Sequence, residues 1–178
     1  MALLDPPSFG GWGDPCRTAT MATVEVDDGL GHGYSVPWRQ ECTRPFLRAF
    51  ARVKAGNIDR KRLDRQTYPI RMLGTYSCRD ATCCPGKFSN HAFALALDIN
   101  WDVNPFHGST SSWGPHDVPI WVIRCFEAEG FHWLAQYDPM HFERLQPAGC
   151  EPIGDTGPTA IDHRQFLTTE PEEALWLL

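Results

Sequence analysis

Ser89-Asn90-His91-Ala92-Phe93-Ala94-Leu95-Ala96-Leu97-Asp98-Ile99-Asn100 carries the most informative pattern in the chain. Ala94 to Asn100 reads as a β-strand. Because side chains alternate along a strand, Ala94, Ala96 and Asp98 are expected on one face. Two alanines leave open space beside the Asp98 carboxylate. His91 stands just before the strand, where a loop can swing its imidazole back over that space. An imidazole and a carboxylate converging on a small-residue floor suit zinc or a similar divalent cation.

A second cluster follows about forty residues later, Tyr137-Asp138-Pro139-Met140-His141-Phe142-Glu143. Read as a strand, it turns Met140 and Phe142 to the core, with His141 and Glu143 on the other side. His141 can supply a third ligand and leave one of zinc's four positions open to water, the layout of a catalytic site. Asp138, across a Pro-forced turn, can reach such a water without ligating the metal, as a general base must. Either pattern alone also arises by chance in a chain with seven histidines, and Asp138-Pro139 by itself reads as a turn.

Outward from these clusters the chain alternates short elements. Residues 1–38 are rich in Gly, Pro and Asp and read as an irregular N-terminal extension around one strand, Ala22 to Val26. Phe46, Leu47, Phe50 and Val53 recur at helical spacing opposite Arg44, Arg48 and Arg52, which predicts an amphipathic helix from Arg44 to Lys54, stopped by Gly56-Asn57. Thr67 to Cys78 reads as a strand with Gly74 as a possible bulge. Val118 to Glu129 reads as a second helix, with Asp117 as N-cap and Gly130 just past its end. Phe131 to Leu145 reads as one or two short strands, interrupted near Asp138-Pro139. This order implies an α+β domain, a small antiparallel sheet with packed helices. Gln146 to Leu178 forms an acidic, Pro-rich C-terminal tail.

The 178 residues suit one domain with its own core, and no stretch approaches 18 consecutive apolar residues, so no membrane span is expected. Residues 1–9 lack a basic start and a useful apolar region, so no Sec-type signal peptide is expected. The net charge of −6 conceals a basic stretch from Arg39 to Arg71. It holds ten basic residues against Glu41, Asp59 and Asp64. Such a stretch is either a solvated helix face or a binder of a polyanion such as an anionic cell-wall polymer. A pI of about 5.6 argues against a dedicated nucleic-acid binder. The seven cysteines contain no C-x-x-C pair, so a zinc ribbon is not supported. They read mainly as small buried residues, with a short Cys78–Cys83 or Cys78–Cys84 loop as the oxidised alternative.

Ser89-x-His91 with Ala96-x-Asp98, followed by Asp138-Pro139-Met140-His141-Phe142-Glu143, resembles the peptidase M15 family. This group comprises zinc D-Ala-D-Ala carboxypeptidases and phage or bacterial L-alanyl-D-glutamate endopeptidases. Ser77-Cys78-Arg79, Ser89-Asn90-His91, Asp98-Ile99-Asn100 and Asn104-Pro105 resemble its endolysin-type branch. The likeness spans about residues 40–145 and implies a zinc peptidase domain over 39–145, of the fold shared by D-Ala-D-Ala peptidases and hedgehog signalling domains.

By that resemblance His91, Asp98 and His141 bind zinc and Asp138 is the catalytic base. Arg79 polarises the scissile carbonyl or holds a substrate carboxylate, and Ser89 orients the loop or the substrate. Trp101 and Trp113, in a Pro/Gly/Ser-rich loop running to Pro115, are expected to line a substrate groove, whereas Trp121 belongs to the core. His32, His107, His116, His132 and His163 are not required. One departure is visible, because the family pattern His-x-x-Gly-x-Ala-x-Asp has Ala94 at its glycine. The implied activity is hydrolysis of a peptidoglycan stem peptide by an endolysin acting on the cell wall. A D,D-carboxypeptidase and a non-catalytic zinc module are the alternatives.

Overall fold

The computed structural model describes residues 13–82, 84–108 and 114–144. Residues 1–12, Cys83, Trp113, Cys150 and the acidic tail lie outside the described residues. The expected strand at 22–26 is β1, Met21–Asp27, and it is one arm of a hairpin rather than an isolated strand. Its partner β2, Gly33–Arg39, was expected to be irregular because it opens on glycine and contains Pro37. Pro37 is tolerated because it faces solvent in a two-stranded sheet, opposite Thr23. Val24, Val26, Val36 and Trp38 turn inward into the core. Asp28 closes the hairpin loop by accepting the Leu30 and His32 N–H groups, and its other oxygen accepts the Ile70 N–H.

The first helix, α1, runs over Thr43–Arg62, eight residues past the expected end. Gly56-Asn57 does not stop it, because both residues serve packing. The Asn57 amide donates to the Asp28 and Tyr68 carbonyls and accepts the Tyr68 N–H. At Gly56, a Cβ would lie 2.7 Å from the Trp121 ring. Of the expected apolar stripe Phe46, Phe50 and Val53 are buried and Leu47 is half-buried at the core's edge, with Ala49 joining the buried set, and Phe46 stacks on Trp38 with ring centroids 4.2 Å apart.

The extended segment 67–78 contributes only β3, Leu73–Gly74, where Gly74 pairs regularly with Asp98 and forms no bulge. Elsewhere side chains take the place of a partner strand. The Tyr68 N–H goes to Asn57, that of Ile70 to Asp28, and those of Arg71 and Met72 to Asn100 Oδ1. A small hairpin follows, β4 (Asp80–Ala81) with β5 (Cys84–Phe88). The strand expected from Ala94 begins later, as β6, Ala96–Ile99, because Asn90–Phe93 forms a short 3-10 turn.

The second helix, α2, spans Ile120–Glu127, shorter at both ends than expected. Asp117 does not cap it; its carboxylate is taken by the Tyr68 hydroxyl and the Asn104 amide. Gly130 adopts φ +79 just beyond the exit, in the left-handed region open to glycine. Strands β7, His132–Trp133, and β8, His141–Glu143, complete a four-stranded antiparallel sheet of order β3-β6-β8-β7. Leu97, Ile99 and Phe142 face the core, where Phe126 of α2 lies 4.6 Å from Phe142, ring to ring.

Cys78 is bonded to Cys16, 62 residues away, and not to Cys83 or Cys84; Cys42 is also in a disulfide. Cys84 and Cys125 are free. Much of the basic stretch is locally paired. Arg39 meets Glu41, Arg48 and Arg52 both grip Glu129 at 2.6 Å, Lys54 meets Asp27, and Arg62 meets Asp59. No helix among the described residues is long and apolar enough to cross a membrane.

Candidate metal centre

The site forms where β6 and β8 pair. Asp98 stands directly opposite His141, and Ala96 opposite Glu143. Side chains of directly paired residues share a face, so these four project together, away from the core. The third element is the Asn90–Phe93 turn, capped by Ser89, whose Oγ accepts the His91 N–H at 3.3 Å. The turn ends on Ala94, at φ 53 and ψ 44, fully buried. The left-handed conformation is cheap for glycine and costs other residues roughly 1–2 kcal/mol. That accounts for a glycine here in the family pattern and makes Ala94 a strained substitute, not the harmless methyl that an ordinary strand would hold.

His91 Nε2 lies 3.2 Å from Asp98 Oδ2 and 3.2 Å from His141 Nδ1, which is 2.8 Å from Asp98 Oδ1. Thus one donor atom from each of His91, Asp98 and His141 lies within 4.8 Å of the others. Each imidazole also has its remote nitrogen occupied. His91 Nδ1 donates to the Thr75 carbonyl, and His141 Nε2 lies 3.1 Å from Glu143 Oε2. An outer acceptor of this kind fixes ring orientation and tautomer, leaving the inner nitrogen free to ligate.

Burial opposes the charged forms of both Asp98 and His141. Hydrogen bonds from His141 and His91 nonetheless hold the Asp98 carboxyl well below the usual carboxylate range. Hydrogen bonds to Asp98 and Glu143 push His141 up to about 10. The cluster therefore favours positive charge at its centre. Two imidazole nitrogens and a carboxylate oxygen fit zinc by donor type. Access is from the Asp98 side, whose side chain is 16% exposed against 3% for His91 and 5% for His141.

Asp138 follows a short turn, Ala135–Tyr137, and its carbonyl accepts the His141 N–H at 3.0 Å around Pro139. The Trp133 indole pins this turn by donating to the Pro139 carbonyl at 2.9 Å. The Asp138 carboxyl is buried and its Oδ1 has no hydrogen-bond partner among the described residues. Burial pushes its pKa up to about 6; the His141 charge opposes this and the Asp98 charge adds to it. A carboxyl titrating there can both take and return a proton near neutrality.

Arg79 lies outside the cluster. Its guanidinium is exposed and donates to the Asp80 carbonyl and Thr82 Oγ1, while its own carbonyl accepts the Ser89 N–H at 3.1 Å. Trp101 is 40% exposed and covers Gly74, the cross-strand partner of Asp98, with its ring 3.5 Å from where a Cβ would stand. His32 pairs with Asp28 and His116 packs on Trp133, so neither enters the cluster. Three contributors escaped the sequence reading: the Thr75 carbonyl, Asn90 and Glu143. Only Glu143 left a trace, as an acid two residues from His141 on the same strand face.

Residues 84–144 match a peptidase M15 family model described as D-alanyl-D-alanine carboxypeptidase. The matched segment holds β5 to β8, and with them His91, Asp98, Asp138 and His141; Arg79 lies before it. No curated protein and no solved structure matches the chain. The match covers about a third of the chain, the part that carries the cluster, and is a likeness to that family over this segment.

Proposed function

We propose that the protein is a zinc metallopeptidase of the peptidase M15 kind hydrolysing peptidoglycan stem peptides, as an L-alanyl-D-glutamate endopeptidase of the endolysin type. The observation that carries the reading is the meeting of His91, Asp98 and His141 beside a buried Asp138 carboxyl with an unpartnered oxygen. His91 Nε2, His141 Nδ1 and the Asp98 carboxylate would hold the zinc. Zinc there supplies Lewis acidity that makes water nucleophilic near neutral pH. Asp138 takes the proton of the attacking water and returns it to the leaving amine. Among the described residues Arg79 donates to neutral acceptors and can exchange them for a substrate carboxylate, with its planar fork favouring that group. Trp101 borders the open Asp98 side and offers an apolar wall to the peptide.

Asp138→Ala is expected to retain zinc, measured by metal analysis, while hydrolysis of purified peptidoglycan falls about 10²–10⁴-fold. Undiminished hydrolysis overturns the mechanism. Mass analysis of the digest separates the two peptidase readings. New amino groups on D-Glu support the endopeptidase, whereas released D-Ala supports the carboxypeptidase that the family description favours. Zinc binding without cleavage of any cell-wall peptide returns the non-catalytic module.

A further inference from the structure

Glu143 is fully buried, yet among the described residues its carboxylate has hydrogen-bond partners on one oxygen alone. Oε2 accepts from Asn90 Nδ2 at 2.6 Å and lies 3.1 Å from His141 Nε2; among the described residues Oε1 has no partner, and neither has Asn90 Oδ1. A carboxylate kept from water with one oxygen unpaired is a costly way to fill a strand position. Its cross-strand partner, Ala96, offers it no polar side chain. The position of the acid explains its presence. Glu143 touches the nitrogen of His141 remote from the ligand cluster, and Asn90 is the chain neighbour of His91.

We infer that Glu143 is a positioning residue for His141 in the zinc centre, and that the Asn90–Glu143 hydrogen bond braces the ligand turn against the ligand strand. The inference rests on the zinc reading above. The two histidines are served differently. His91 is held by a neutral backbone carbonyl, whereas His141 is held by a carboxylate. An imidazole donating to a carboxylate is the more basic ligand, and such outer partners typically change metal affinity 10–100-fold.

The test measures zinc dissociation constants by chelator competition for the full chain, for Glu143→Gln and for Asn90→Ala. Glu143→Gln keeps the size and an acceptor oxygen but removes the charge, and it is expected to weaken zinc binding about 10–100-fold. Asn90→Ala, which leaves every ligand and Glu143 intact, is expected to weaken it less, and it carries the comparison if Glu143→Gln fails to fold. A long-range ¹H–¹⁵N spectrum of the zinc-loaded protein should show His141 protonated on Nε2. A merely structural role would lower the melting temperature of the metal-free protein without moving the zinc constant. Unchanged zinc affinity in the variants, or His141 protonated on Nδ1, overturns this inference while leaving the peptidase reading standing. Failure of the unaltered protein to bind zinc overturns both.

Discussion

The two faces of the β3-β6-β8-β7 sheet share one backbone and obey opposite rules. On one face Leu97, Ile99 and Phe142 join the apolar core, with Phe126 against Phe142. On the other, beside Ala96, Asp98, His141 and Glu143 bury polar groups that hold one another, and three nearby oxygens, on Asn90, Asp138 and Glu143, have no partner among the described residues. The core face is satisfied by shape alone. The site face is satisfied only in part, and its remaining demand is for positive charge and for a proton acceptor's substrate. Stability and chemistry thus divide by residue parity along two short strands.

That division can be broken at several points. The largest effect is expected from Phe142→Ala, which opens a cavity in the core face between two ligand-strand neighbours. Denaturant unfolding should show a loss of about 3–5 kcal/mol. Asp138, buried with an unpartnered oxygen, gives the contrast: its alanine variant should keep the melting temperature while losing activity. If the two variants behave alike, the faces are not independent.

A smaller loss is expected at Gly56, where α1 touches α2. Gly56→Ala gains roughly 1 kcal/mol in helix propensity but drives its methyl into the Trp121 ring, and overpacking typically costs about 1–3 kcal/mol. A lower melting temperature is the expected outcome. The smallest change is a gain. Ala94→Gly relieves the left-handed residue that ends the His91 turn, offset by the greater freedom of glycine in the unfolded chain. Equilibrium unfolding should show stability rising by about 0.5–1 kcal/mol. No gain would mean that the turn carries its alanine without strain.

The sequence revealed what depends on local periodicity. The inward stripe of α1, the turn at Asp138-Pro139 and the shared face of His141 and Glu143 all follow from spacing within a few residues. It did not reveal what depends on distant partners. Nothing in either cluster gives the register that sets Asp98 opposite His141, nor the reach of Asn57, Asp28 and Asn100 into backbone positions where a strand was expected. Gly56-Asn57 has the local signature of a helix end, and tertiary packing overrode it. The grouping of His91 and Asp98 with His141 was legible through the resemblance to a known family, since spacing alone is equally common by chance. The outer partners Thr75 and Asn90 were not, since a backbone carbonyl and a common amide leave no pattern.

The Cys16–Cys78 bridge has a consequence beyond joining two segments. The Cys16 N–H bonds the Ala92 carbonyl at 2.7 Å, and Ser77, next to Cys78, gives its N–H to the His91 carbonyl at 3.2 Å. Both ends of the staple therefore grip the same turn, the one that presents the first histidine. By chain entropy a closed loop of this length is worth about 4 kcal/mol to the fold. Part of that constraint is delivered to a single ligand. A thiol reductant would thus act as a remote loosening screw on the cluster, changing how firmly His91 is aimed without touching any of the three ligand side chains.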